Sequence, residues 1–361
     1  MPIVAHSTLP AFDVLAAEGE DVLTVEQAHR ADIRELHVGL LNMMPDAALQ
    51  VTEQQFTRLI GASNRIVQVY VHVFTVPGLE RSPATQAHID AHYERFEDLR
   101  EEGLDALIIT GANVANRPDL ADEAFYEPLL EVVDWASDHV TSVLCSCLAT
   151  HALLQHRHGI RRRPLLTKRW GILEHRQLQP DHPLLHGTNT RFDVPHSRWN
   201  EVTSSQLDRA GVEVLAESTE GDFHLGVSAD GIRTVYLQGH PEYDVVSLLK
   251  EYKREVIRYL DGEVSAIPPL PAGYLTADSA RLAHDHIDAV ITAREQGAPP
   301  PAFPELELAA GLENTWADTA KAVFANWLGL VYRLTDLERG VPFTPEIDPQ
   351  DPLGRLGRRP G

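Results

Sequence analysis

The feature that most constrains the fold is a regular alternation of short apolar segments and helix-like segments between residues 36 and 158. The short segments are rich in β-branched residues and are predicted to be buried strands, at 36–41, 65–74, 106–110 and 142–145. Segments with helical periodicity follow them, and Gly159 is placed to end the last helix. This alternation predicts an α/β fold with a mostly parallel sheet and helices on both faces.

The later part of the chain is predicted to differ from this repeat. Residues 223–228 and 232–238 flank a turn and predict a β-hairpin, and residues 245–260 and 316–333 have helical patterns. A capping-box pattern, Thr52-x-x-Gln55, predicts the start of the first long helix. We predict four regions: an N-terminal arm (1–35), a catalytic α/β domain (36–263), a Pro-rich linker with a C-terminal helix packing on the core (264–335), and a loose tail (336–361).

Charge and composition exclude several classes of protein. The 361 residues include 31 Lys plus Arg against 53 Asp plus Glu, a formal net charge of −22, which argues against a nucleic-acid-coating protein. The two cysteines, Cys145 and Cys147, are poorly spaced to bridge one another, and a reducing compartment is expected. No signal-peptide pattern and no apolar run of about 18 residues occurs, so we predict a cytoplasmic protein without a membrane partner.

Cys147 lies at a predicted turn from a strand into a helix. Unpaired N–H groups and the positive end of the helix lower the pKa of a thiol at such a position, and the same N–H groups can stabilise an oxyanion. This is the geometry of a nucleophile elbow. The turn at residues 42–45 is a second candidate source of oxyanion donors. The alternative interpretation is a pair of small buried cysteines that end a core strand.

A second signal follows the predicted hairpin, in Gly239-His240-Pro241-Glu242-Tyr243. A histidine with a carboxylate two residues later can form a base and its orienting group, because such residues share one face of an extended segment. The alternative is a surface turn that happens to carry a histidine. A cysteine elbow and a later His-x-Glu on one α/β sheet together resemble the triad of class I glutamine amidotransferases.

Two other clusters could bind ligands. The histidines at 151, 156 and 158 lack cysteine or carboxylate ligands at fixed spacing, so we predict no metal site there and no metal in the protein. A basic run at 157–169 includes Arg161 and Arg162. It could bind the phosphates of a nucleotide-bearing substrate or form a solvated loop. No phosphate-binding loop motif occurs.

Several motifs in combination resemble a more specific family, the homoserine O-succinyltransferases. The matching stretches extend over about residues 1–335: LPAF at 9–12, LLNMMP at 40–45, TEQQFTRL at 52–59, LIITGA at 107–112, PHSR at 195–198, GHPEYD at 239–244 and FANWL at 324–328. The resemblance implies a class I glutamine amidotransferase-like (flavodoxin-like) fold. It also implies an acyltransferase acting in methionine biosynthesis.

The resemblance also implies roles for individual residues. Cys147 would carry the acyl group, His240 would accept the proton and Glu242 would orient His240. Lys168, Ser197 and Arg254 fall where the family contacts substrate. A guanidinium at position 254 suits the α-carboxylate of an amino acid, since it offers a bidentate fork.

The resemblance further implies the substrates. The expected partners are L-homoserine and succinyl-CoA, with acyl-CoA as a co-substrate and no cofactor. The family's donor-selecting position corresponds to Ala115 by counting, and a small neutral residue there favours succinyl-CoA over acetyl-CoA. Acetyl-CoA as donor and serine as acceptor stay open, as do a glutamine amidotransferase and a DJ-1-like binding protein. A homodimer is possible.

Overall fold

The computed structural model describes residues 2–31, 33–63, 67–114, 117 and 119–355. Within these residues, eleven strands form one sheet. The strands are β1 (Ile3–Ala5), β2 (Val22–Thr24), β3 (Glu35–Leu41), β4 (Gln68–Phe74), β5 (Ala106–Ile109), β6 (Ser142–Ser146), β7 (Arg163–Gln177), β8 (Arg191–Glu201), β9 (Glu213–Ser218), β10 (Phe223–Val227) and β11 (Thr234–Leu237).

The helices connect and cover these strands. They are α1 (Pro10–Ala17), α2 (Val25–Ala28), α3 (Leu49–Ala62), α4 (Pro83–His92), α5 (Phe96–Glu102), α6 (Tyr126–His139), α7 (Leu148–His158), α8 (Ser204–Arg209), α9 (Ser247–Leu260), α10 (Ala277–Gln296), α11 (Glu305–Ala309) and α12 (Ala317–Leu334). In the described parts of the chain, none of them is both long and apolar enough to cross a bilayer.

The sheet is parallel in one part and antiparallel in the other. The strand order is β2-β1-β4-β3-β5-β6-β11-β10-β9-β7-β8. Every neighbouring pair from β2 to β11 is parallel, and the pairs from β11 to β8 are antiparallel. The predicted α/β fold with a mostly parallel sheet and the hairpin of β10 and β11 are confirmed.

Alternating side chains of the central strands fill two separate cores. In β5, Ala106 and Ile108 pack with α3 and α12 on one face, whereas Leu107 and Ile109 pack with α6 and α7 on the other. A period of two along a buried strand requires this division. The predicted helices on both faces are therefore confirmed. A third core joins α9, α10 and α11 beside Trp170 of β7.

Three predictions differ from the structure near the ends of the chain. The N-terminal arm adds two parallel strands to the sheet, because Ile3 of β1 pairs with both Val22 and Val69. Helix α3 begins three residues before the predicted cap at Thr52, which is itself helical and buried. In the described part of the predicted loose tail, Phe343 is buried and the Arg355 guanidinium binds Glu213.

Candidate active site

Cys147 lies between the end of β6 and the first residue of α7, as predicted. Its backbone has φ 52° and ψ −109°, and it is the one non-glycine residue with positive φ among those the structure describes. A residue other than glycine adopts this backbone conformation at a cost of about 1–3 kcal/mol, so contacts with the surrounding structure must maintain it. The strained strand-to-helix turn confirms the geometry of a nucleophile elbow at this position.

Hydrogen bonds to β11 hold the elbow. The Cys147 N–H donates to the Leu237 carbonyl at 2.8 Å. The Thr150 hydroxyl, one turn into α7, contacts the carbonyls of Leu237 and Cys145 at 2.8 and 2.9 Å. Because β11 pairs directly with β6, the end of β11 brings the next segment of the chain to the cysteine.

His240 and Glu242 occupy that next segment. The His240 Nδ1 lies 2.8 Å from Glu242 Oε1, and both side chains are buried. The Cys147 side chain lies close enough to the imidazole to interact with it. Burial by itself would lower the pKa of His240, but the charges of Glu242 and the Cys147 thiolate, with their hydrogen bonds, outweigh it and raise the pKa well above its ordinary value. The three residues are thus arranged as a nucleophile, a base and an orienting carboxylate would have to be.

A second polar group lies behind His240, and the sequence did not reveal it. The Tyr243 ring stacks on the His240 ring with centroids 4.4 Å apart. Its hydroxyl donates to Glu251 Oε1 at 2.7 Å. Glu251 accepts hydrogen bonds from several members of this polar group. It lies on α9, for which the sequence predicted a helix but no functional residue at this position. Its position eight residues after Tyr243 carries no motif that would single it out.

Two of the predicted substrate-binding residues meet at Glu251. The Lys168 ammonium lies 3.2 Å from Glu251 Oε2, and the Ser197 hydroxyl donates to the same oxygen at 2.6 Å. Burial raises the pKa of the Glu251 carboxyl, but Lys168 and the two hydroxyl donors outweigh it and lower the pKa below its ordinary value. Arg254, the third predicted residue, lies one turn further along α9 with an exposed side chain.

The antiparallel pair β7 and β8 explains why Lys168 and Ser197 are neighbours. Trp170 of β7 pairs with Ser197 of β8, and the Lys168 ammonium lies 4.1 Å from the Trp170 ring centroid. The sequence analysis found neither strand. Residues 163–177 mix basic, apolar and polar side chains without clean alternation, so the strand pattern is weak there.

The space in front of the cysteine is bounded by Gly111, which follows β5 and Thr110. A Cβ on Gly111 would lie 3.4 Å from the Cys147 Cβ, 3.7 Å from the Leu148 N and 3.7 Å from the Met44 Sδ. Leu148 is the first residue of α7, so its N–H has no acceptor within the helix. This N–H is therefore placed to meet an oxyanion that forms at Cys147.

The turn at residues 42–45 is a poorer source of oxyanion donors than the sequence predicted. The Met43 N–H donates to the Thr110 hydroxyl at 2.8 Å, and the Met44 N–H donates to Asn42 Oδ1 at 3.1 Å. Pro45 has no N–H to offer. The side chains and amides of this turn instead hold it against the end of β5.

The basic run does not form one surface. Arg161 is exposed and pairs with Asp119 at 2.7 Å. Arg162 is buried, and its guanidinium donates to the carbonyls of Val114 and Arg117. It also lies near enough to Cys147 for the two charges to interact. The predicted donor-selecting residue, Ala115, lies outside the described residues.

Cys145, the other cysteine, is buried in the core beside Tyr236. Burial raises the pKa of its thiol to about 12. It therefore stays a neutral thiol at physiological pH, whereas Cys147 is partly exposed at the elbow.

Comparisons with known proteins place the chain in a family. The family model for homoserine O-succinyltransferase matches residues 2–337. The chain belongs to this family. The predicted resemblance is therefore confirmed, and the prediction of an acyltransferase is confirmed at the level of the family.

Relatives of high identity extend over nearly the whole chain. A homoserine O-succinyltransferase of Methylococcus capsulatus is 55% identical over 98% of this chain and 99% of its own length. Another, of Allochromatium vinosum, is 56% identical with the same coverage. Among solved structures, a glutamine amidotransferase of Thermotoga maritima is 12% identical with a TM-score of 0.42, over 83% of this chain and 98% of its own.

Proposed function

We propose that the protein transfers the succinyl group of succinyl-CoA to the hydroxyl of L-homoserine through an acyl-cysteine intermediate at Cys147. The observation that carries the proposal is the contact of Cys147 with a buried His240–Glu242 pair at a strained elbow. Family membership over residues 2–337 and the names of the relatives support the choice of acyl group and acceptor.

In the first half-reaction, the Cys147 sulfur attacks the thioester carbonyl of the donor. A bond forms between this sulfur and the carbonyl carbon, and the Leu148 N–H stabilises the oxygen that becomes negative. The bond from carbon to the CoA sulfur then breaks, and the leaving thiolate takes a proton from the imidazolium of His240. Glu242 keeps His240 oriented with one nitrogen toward the cysteine.

In the second half-reaction, the homoserine hydroxyl attacks the acyl-cysteine. His240 accepts the hydroxyl proton, the ester bond forms, and the bond from carbon to the Cys147 sulfur breaks. The sulfur leaves as a thiolate facing the protonated His240, so the starting pair is restored. Kinetics of the ping-pong type follow from this order of events.

Substrate positioning is assigned to Lys168, Ser197 and Arg254. Lys168 and Ser197 both contact the Glu251 carboxylate, which the Tyr243 side chain links to His240. A substrate that contacts Lys168 and Ser197 is therefore near His240. Arg254 is exposed and offers a fork for the homoserine carboxylate. A small side chain at Ala115 is consistent with a succinyl donor, as the sequence analysis predicts.

The test combines a donor–acceptor matrix with intact mass spectrometry. Succinyl-CoA and acetyl-CoA are each assayed with homoserine and serine, with glutamine hydrolysis as a further arm. The highest kcat/KM is expected for succinyl-CoA with homoserine. Succinyl-CoA alone should leave one acyl group on Cys147. A preference for acetyl-CoA or serine would overturn the substrate assignment, and glutaminase activity would favour an amidotransferase.

Two variants test the covalent step separately. Cys147→Ala should lose both the acyl adduct and turnover, because no other group replaces the sulfur. Cys145→Ala, a matched change two residues away, should keep the adduct. Near-normal turnover by Cys147→Ala would exclude the acyl-cysteine scheme.

A further inference from the structure

A second cluster of ionisable side chains lies at the edge of the parallel sheet, away from the elbow. His6 follows β1, His72 lies in β4, and Glu94 lies in the connection between α4 and α5. The His72 Nδ1 lies 2.9 Å from Glu94 Oε2, and the His6 Nε2 lies 3.5 Å from Glu94 Oε1. One ligand atom from each residue falls within 4.8 Å of the other two.

The hydrogen bonds of His6 fix which ring nitrogen carries its proton. The His6 Nδ1 lies 3.1 Å from the Val4 carbonyl oxygen, which can only accept, so Nδ1 is the donor. In the neutral ring Nε2 then holds a lone pair. This Nε2 is buried and has no hydrogen-bond partner. It is directed at Glu94, and a carboxylate cannot donate to it.

The same reasoning applies to His72 through its neighbour His37. The Arg339 guanidinium, which can only donate, lies 3.3 Å from the His37 Nδ1, so this nitrogen is an acceptor. The His72 Nε2 lies 2.9 Å from the same His37 nitrogen and must therefore supply its own proton. In the neutral ring the His72 Nδ1 then has a lone pair, and it faces Glu94.

When both rings are neutral, three acceptors converge without a hydrogen between them: two imidazole lone pairs and one carboxylate. We propose that His6, His72 and Glu94 form a binding site for a divalent transition-metal ion of the zinc type. A bound cation would replace the electrostatic repulsion among these three acceptors with three coordinate bonds. The ligand atoms of a tetrahedral zinc site lie about 3.3–3.4 Å apart, since each bond is about 2.0–2.1 Å. The two spacings to the single oxygen Glu94 Oε1, 3.0 Å from His72 Nδ1 and 3.5 Å from His6 Nε2, bracket that value.

The outer contacts suit a metal site as well. Metal-binding histidines usually donate their second N–H to a carbonyl, a carboxylate or a similar acceptor. His6 does so to Val4, and His72 does so to His37, whose Nε2 lies 3.5 Å from Glu35. Two imidazoles and one carboxylate favour zinc over magnesium or calcium, which prefer oxygen ligands.

The position of the site indicates a structural role. The metal would join the residue after β1 to β4 and to the segment before α5. Only Ile3 of β1 pairs with β4, at Val69, so the backbone ladder between these strands is short. A bound ion would anchor the N-terminal arm to the edge of the sheet.

The test measures metal binding directly, on the full chain carrying Cys147→Ser so that the catalytic thiol does not compete. Metal-free protein is titrated with Co²⁺ and Zn²⁺, and bound metal is counted after equilibrium dialysis. We expect one equivalent, with a Co²⁺ spectrum that lacks thiolate charge-transfer bands. Zinc at about 100 times its dissociation constant should raise Tm by about 3–4 °C.

Variants of the ligands decide the assignment. His6→Gln and Glu94→Gln should each weaken zinc affinity by more than the roughly 10–100-fold that loss of an outer hydrogen-bond partner costs. The matched control is His156→Gln, since His156 pairs with Asp134 at 3.0 Å on the surface without a third ligand. Zinc binding that is unchanged in both folded ligand variants, or no zinc binding by the parent, would overturn the proposal. Protonated histidines would then supply the positive charge that faces Glu94.

Discussion

Replacing Gly111 with alanine tests the oxyanion site without substituting any of the residues Cys147, His240 and Glu242. The backbone of Gly111 is not in the left-handed region, and the nearest atoms to an added Cβ lie at 3.4–3.7 Å, close to ordinary van der Waals contact. The fold should therefore accept the methyl group. The methyl carbon would nevertheless stand 3.7 Å from the Leu148 N, whose N–H has no acceptor within the helix.

The expected loss follows from the space that remains. An oxyanion must approach the Leu148 N to about 2.7–3.1 Å, and a methyl carbon 3.7 Å from the same nitrogen occupies that approach. Loss of one oxyanion donor costs about 10²–10³ in kcat, or about 2.7–4 kcal/mol of transition-state stabilisation. We expect Gly111→Ala to lower kcat by this factor while Tm changes little.

The assay compares steady-state kcat with Tm and with the rate at which succinyl-CoA acylates Cys147. The control is Gly329→Ala in α12, because a Cβ at Gly329 meets nothing within 4 Å. That variant should keep kcat and gain up to about 1 kcal/mol of stability, as alanine favours helix. A folded Gly111→Ala protein with near-normal kcat would refute the placement of the oxyanion at Leu148.

Three further predictions concern the Glu251 carboxylate, the two cysteines and two arginines of the basic run. Glu251→Gln should lower the free energy of unfolding by about 3–5 kcal/mol at pH 7, because the largely buried Lys168 ammonium loses its carboxylate. Folding lowers the pKa of Glu251, so the difference from wild type in urea unfolding should shrink as the pH falls below the ordinary carboxyl pKa of 4.5. Iodoacetamide at pH 8 should alkylate Cys147 and spare Cys145, and peptide mass spectrometry showing equal labelling would contradict the burial of Cys145. Arg161→Glu should leave the KM for succinyl-CoA within about twofold of the wild-type value, whereas Arg162→Lys should raise this KM by loosening the turn after β5. If initial-rate assays show the larger rise in KM for Arg161→Glu, Arg161 binds phosphate instead.

Local patterns predicted the parts of the site that a single segment determines. The elbow at Cys147 follows from an apolar strand, a small-residue turn and a helix that Gly159 ends in the left-handed conformation, φ 64°. The pair His240 and Glu242 needs a spacing of only two residues. Their convergence follows from the parallel sheet, because β6 and β11 are neighbours and their carboxyl ends lie at one edge.

Contacts between distant segments could not be predicted in the same way. Glu251 accepts hydrogen bonds from β7, β8 and the segment after β11, and no local pattern indicates that these three segments meet on α9. The cluster of His6, His72 and Glu94 depends on β1 adding to the sheet beside β4, whereas the sequence of the arm lacks the length and alternation of a recognisable strand. Tertiary pairing, not local propensity, formed both groups.

The net charge of −22 makes the balance of cations at the site decisive, since the proposed donor succinyl-CoA is an anion. Lys168 is compensated by Glu251, and Arg198 by Asp222. Arg162 differs because its hydrogen bonds go to neutral carbonyl oxygens, and its charge interacts with Cys147. Within the described part of the chain no carboxylate hydrogen bonds with Arg162, although the charge of Glu123 also acts on it. Within the basic run, Arg162 therefore places one buried guanidinium near Cys147, whereas the exposed member Arg161 is already paired with Asp119.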